Sequence, residues 1–111
     1  MKIVVIIPSI GRPELAATLA SLEKQTRPPD EIIVVEDSEQ HGAAWARNSA
    51  AKKTGADILL FLDDDCVAAP DWIEKMCAAF ADEKVMVVSG ALIYRSENYF
   101  AGPEERVVRN F

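Results

Sequence analysis

The chain has little of the usual equipment for holding metals or phosphates. It has one histidine, His41, and two cysteines, and only 7% of its 111 residues are aromatic. Cys66 and Cys77 stand eleven apart, with no C-x-x-C and no histidine beside them. That spacing speaks against a zinc site or a disulfide framework and fits a reducing compartment. No G-x-G-x-x-G and no Walker loop occurs, and Gly11, Gly42, Gly55 and Gly90 each stand alone. A glycine-rich phosphate cradle is therefore not expected. No apolar run approaches membrane-spanning length, and the one after Met1-Lys2 stops at Pro8, too short for a secretory h-region. Basic residues are also few: 12 Lys and Arg against 18 Asp and Glu leave a formal charge of -6. Nucleic acid and anionic membranes need a basic face and are not expected partners. The expected location is the cytoplasm, or the cytoplasmic face of a membrane for a longer protein.

What is present is a core. Half the residues are hydrophobic, enough for one domain and too many for a disordered chain. The most informative stretch runs from Asp57 to Asp65. Ile58 to Leu62 is unbroken and apolar, and then Asp63, Asp64 and Asp65 follow consecutively. A short apolar run without alternation reads as a strand covered on both faces. Three carboxylates at its end repel one another. Either they lie in a solvated turn, or a hard divalent cation with oxygen ligands relieves them.

The rest alternates. Lys2 to Ile7 is a β-branched first strand, ended by Pro8-Ser9-Ile10-Gly11-Arg12, and Pro13 suits the first helical position. Leu15, Leu19 and Leu22 mark a helix that closes at Pro28-Pro29. Glu31 to Val35 is a second strand, followed by an alanine-rich helix from about Gly42 to Lys53. Pro70 starts a third helix with Ile73, Met76, Cys77 and Phe80 as its apolar stripe, and Lys84 to Ile93 reads as a fourth strand. Residues 94 to 111 show no periodicity and form a tail beyond a domain of residues 1 to 93.

Repeated strand–helix alternation implies right-handed crossovers and a parallel sheet. All C-terminal strand ends then share one rim, so Pro8-Ser9, Glu36-Asp37 and Asp63-Asp64-Asp65 converge where open α/β sheets bind ligands. Asp37 can accept a hydrogen bond from a base N–H, or it can serve as a turn or N-cap residue. Arg47 lies among alanines and can reach that rim to pack on a base, or remain a solvated helix charge.

Together these residues resemble a family. Val4-Val5-Ile6-Ile7-Pro8-Ser9, Leu19-Ala20-Ser21-Leu22-Glu23-Lys24-Gln25-Thr26, Ile32-Ile33-Val34-Val35-Glu36-Asp37-Ser38, Ala46-Arg47-Asn48 and Phe61-Leu62-Asp63-Asp64-Asp65 occur in the order seen in the N-terminal half of family-2 glycosyltransferases. The resemblance implies a Rossmann-like GT-A half domain, a three-layer αβα structure with strand order 3-2-1-4. It also implies inverting transfer of a sugar from a nucleotide-diphosphate sugar, commonly a UDP-sugar, to a carbohydrate or other hydroxyl acceptor. Pro8 and Ser9 would line the nucleoside pocket, Asp37 would bond the base and Arg47 would pack against it. Asp63 and Asp64 would face the nucleotide, Asp63 toward the ribose and metal-bound waters. Asp65, with Asp63, would hold Mn²⁺ or Mg²⁺ in a D-x-D motif. Glu36 stands where an aspartate is common in the family.

Family members continue beyond this length into an acceptor half with a carboxylate base. No base is identified here, since Glu104 and Glu105 match no motif. The chain is accordingly expected to be a nucleotide-binding half with weak or absent turnover alone. An apolar fourth strand from Val85 to Ile93 would then be an open edge, through which, or through the tail, copies would pair. A non-catalytic nucleotide- and metal-binding module is the alternative. A receiver-like phosphotransfer domain fits poorly, because Pro8-Ser9-Ile10 occupies the place of its acid pair. A plain structural α/β domain would bind no nucleotide with Mn²⁺.

Overall fold

The computed structural model describes residues 1–93 and 107–109. It divides into two compact units, Met1–Lys75 and Met76–Phe111. In the first, β1 (Ile3–Ser9), α1 (Leu15–Glu23), β2 (Glu31–Glu36), α2 (Ala43–Ala51) and β3 (Ile58–Phe61) follow in order. A further helix, α3 (Trp72–Ala78), leads into a 3-10 turn at Ala79–Ala81.

β1 is the centre. Ile3, Val4, Val5, Ile6 and Ile7 are all buried, which a strand achieves only with neighbours on both edges and cover on both faces. β2 pairs parallel on one side, with Val5 opposite Ile32, and β3 pairs parallel on the other, with Val5 opposite Leu60. The expected parallel α/β sheet is present. Its order is β2-β1-β3, however, and not 3-2-1-4: the third strand crosses back to lie beside the first. The reason is in the strands themselves. β2 is only half-buried and has exposed Glu31 and Glu36 at its ends, so it suits an edge. Among the described strands β3 is also at an edge, and its pattern alternates, with Ile58 and Leu60 buried but Phe61 44% exposed. The expectation of full cover on both its faces is corrected accordingly.

The two crossovers run in opposite directions along the sheet. Right-handed connections therefore place α1 and α2 on opposite faces. On the α2 face, Val4 and Ile6 form a cluster with Ala50, joined by Ile33, Val35, Ala51 and Leu59. Alanines let this helix lie close to the strands, which is why so weakly apolar a segment can still cover a sheet. α1 buries Thr18, Ser21 and Leu22. Gln25, just past its end, clamps the entry to α3: Nε2 donates to the carbonyls of Ser21 and Ala69, and Oε1 accepts from the Ile73 amide. At the opposite rim, Asp57 and Asp30 accept from the backbone N–H groups of Lys2 and Ile3, both at 2.7 Å. Those carboxylates satisfy the first donors of β1.

The predicted fourth strand is largely absent. Of Lys84 to Ile93, only Ala91–Ile93 forms a strand (β4) among the described residues, paired antiparallel with β5, Val107–Arg109, in a separate two-stranded sheet. Met86 and Val87 are 82% and 85% exposed, so the apolar character of residues 85 to 90 is not used for pairing. Self-association through a long edge strand loses its element with this correction. Glu104 and Glu105 lie outside the described residues, as does most of the tail.

Candidate functional site

The C-terminal ends of the three parallel strands meet. The Asp37 amide donates to the Ser9 carbonyl at 2.8 Å, and the Leu62 amide donates to that of Ile6 at 3.1 Å. The last residues of β1 are thereby bracketed by the segments that follow β2 and β3. A cleft of about 390 Å³ opens there, lined by Pro8, Ser9, Arg12, Asp37, Gly42 and Asp63, among others. With the order β2-β1-β3, it sits where the chain reverses direction across the sheet. Doubly wound folds bind ligands at that point.

Each predicted residue has a definite place. Ser9 is buried, and its hydroxyl donates to Asp64 Oδ2 at 3.0 Å while accepting from the Gly11 amide at 3.1 Å. Asp64 is also buried; Oδ1 lies 3.7 Å from Arg12 Nε, and its carbonyl accepts from the Thr18 hydroxyl. Both of its oxygens are thus engaged within the protein, and it does not line the cleft. Asp63 and Asp65 point outward: Arg47 holds Asp63 at 3.1 Å, and Arg12 lies 3.5 Å from Asp65. Arg47 is a partner of Asp63, and its buried Nε has no hydrogen-bond partner among the described residues.

Asp37 organises the loop into α2. Oδ1 accepts from the His41 amide at 2.8 Å and contacts the ring Nδ1 at 3.2 Å, and Oδ2 accepts from the Gly42 amide at 2.7 Å. Gly42 has φ of +107°, a conformation that other residues rarely adopt, and so presents its N–H to Asp37 without strain. Burial alone, the largest influence, pushes the Asp37 carboxyl up. The His41 and Gly42 amides and the His41 ring together outweigh it and hold the group below the usual aspartate value. A carboxylate offers about four lone-pair sites, and among the described residues these contacts engage up to three of them.

Asp63, Asp65 and Cys66 each bring one ligand atom to within 4.8 Å of the others. The Cys66 thiol is pushed up by burial and by the neighbouring charges of Asp65 and Asp63. Asp63 and Asp65 contribute carboxylate oxygens, which are hard donors. Those oxygens suit a hard ion such as Mg²⁺ or Mn²⁺.

Sequence reasoning missed Arg12 and Cys66. Arg12 was visible only as part of the loop after β1, and nothing in a linear pattern joins it to acids fifty residues on. Cys66 could have been noted from its position directly after the acid triplet.

The family model described as glycosyl transferase family 2 matches residues 38–110. The chain belongs to glycosyl transferase family 2. An uncharacterized glycosyltransferase, YfnE, of Bacillus subtilis (strain 168) is 33% identical over 69 residues, covering 62% of this chain and 18% of that protein. Human polypeptide N-acetylgalactosaminyltransferase 6 is 32% identical over 87 residues, 77% of this chain and 14% of that one. An uncharacterized glycosyltransferase of Haemophilus influenzae is 34% identical over 94 residues, covering 65% of this chain and 32% of its own length. The chain thus spans about a third or less of these three relatives. No solved structure matches. Family membership accords with the observed α/β unit as a Rossmann-like GT-A half domain.

Proposed function

We propose that this chain is the donor-binding half of an inverting, metal-dependent glycosyltransferase that uses a nucleotide-diphosphate sugar, with UDP-sugars favoured. The observation that carries the reading is the convergence of Ser9, Asp37 and Asp63, from three separate strand ends, on one cleft. In this reading Pro8 and Ser9 form the wall beside the nucleoside. Asp37 accepts a hydrogen bond from the base, and Arg47 packs against that base. Asp63 faces the ribose. Asp64 serves the nucleotide indirectly, by fixing Ser9 and Arg12. Asp63 and Asp65 would hold Mn²⁺ or Mg²⁺, which when bound supplies Lewis-acid stabilisation of the departing diphosphate.

The acceptor would be a carbohydrate or other hydroxyl compound. A base must reach its attacking hydroxyl, and the acids assigned here are otherwise occupied: Asp37 and Asp64 in buried hydrogen bonds, Asp63 and Asp65 with arginines. Turnover by the 111-residue chain alone is accordingly expected to be weak or absent.

A thermal-shift panel of nucleoside diphosphates, with and without Mn²⁺, tests the proposal. Stabilisation should be much larger with nucleotide and ion together than with either alone, be largest for UDP, and be lost in Asp65→Ala. No shift with any pair, or an undiminished shift in that variant, would contradict it.

A further inference from the structure

The acid triplet carries its own counter-ions, and they differ. Arg47 meets Asp63 at hydrogen-bond distance, 3.1 Å. Arg12 stands farther off, 3.7 Å from Asp64 and, in a long hydrogen bond, 3.5 Å from Asp65. Its side chain is half-exposed and borders the cleft beside Ser9, Asp37 and Asp63. The backbone beneath it is better held: its carbonyl accepts from the Leu15 amide, and the Gly11 amide is tied to Ser9 Oγ. Gly11 has φ of +89°, with open space where a Cβ would be. The result is a fixed base carrying a loosely paired guanidinium at the mouth of the cleft.

We propose that Arg12 is a diphosphate-contacting residue that acts as the counter-ion of Asp64 and Asp65 while no divalent ion is bound. This rests on the donor-binding reading above. A divalent ion taken up by Asp63 and Asp65 competes with Arg12 for the Asp65 carboxylate, because both are cations drawn to the same oxygens. The guanidinium then needs another anion. The diphosphate that accompanies the ion provides one, and the planar five-donor fork of arginine matches phosphate oxygens in pairs. Arg12 therefore opposes the ion when it comes alone and favours it when it comes with diphosphate.

Those opposite signs make the test. Isothermal titration of Mn²⁺ alone, of UDP with Mn²⁺, and of uridine with Mn²⁺ is run on wild type, Arg12→Gln and Arg12→Lys. The expected result for Arg12→Gln is severalfold tighter binding of Mn²⁺ alone, about tenfold weaker binding of UDP with Mn²⁺, and unchanged binding of uridine. Arg12→Lys, which keeps the charge and loses the fork, should fall between wild type and Arg12→Gln for UDP, and it decides the matter if Arg12→Gln does not fold. If wild type binds no UDP in Mn²⁺, the donor-binding reading fails and this proposal with it. If wild type binds UDP but the variants bind it unchanged, or lose uridine and UDP equally, the role given to Arg12 is overturned and the donor-binding reading stands.

Discussion

Ser9 shows how one hydroxyl can shape a site. It joins the end of β1 to the acid triplet through Asp64 and to the Arg12 loop through Gly11. Ser9→Ala removes the donor to a buried carboxylate oxygen and should cost about 1–3 kcal/mol of stability, the penalty for an unsatisfied buried group. Chemical denaturation followed by circular dichroism would measure it. Asp37 gives a pH signature. Its folded-state value is held below the ordinary 3.8, so its ionised form stabilises the fold. That contribution is complete above the ordinary value and is lost as pH falls through the lower folded one. Melting temperatures of Asp37→Asn should therefore lie below wild type at neutral pH, and the two curves should approach one another in strong acid.

Among the elements, Gln25 is the most demanding. Three backbone groups on two segments depend on its amide. Gln25→Leu keeps the volume and strands those groups, so it should destabilise by at least as much as Ser9→Ala and loosen the segment at 69–73. Amide exchange at Ile73 would report this directly. The existence of β1, β2, α2 and β3 was legible, because β-branched runs and an alanine-rich helix are local signals. Their arrangement was less so. Burial of every residue from Ile3 to Ile7 marks β1 as central, but apolar composition alone does not say which strands flank it. Val85 to Ile93 misled for a related reason: an apolar run is permissive of a strand, yet only Ala91–Ile93 found a partner. At the site, acids at strand ends could be foreseen because a parallel sheet gathers its ends. The ion pairs that tie Arg47 to Asp63 and Arg12 to Asp64 and Asp65 depend on loop paths that no periodicity encodes.

For the whole molecule, the net charge of -6 and the paired acids favour cations over anions, so a diphosphate should need an accompanying ion to enter. Two ligands that share a charge-compensated site are thermodynamically coupled, each raising the other's affinity by the same factor. Titration of Mn²⁺ into the chain, with and without saturating UDP, measures that factor most directly. UDP should tighten Mn²⁺ binding at least tenfold, about 1.4 kcal/mol or more of coupling, and Asp63→Asn or Asp65→Asn should abolish the coupling. An Mn²⁺ affinity indifferent to UDP would contradict this expectation.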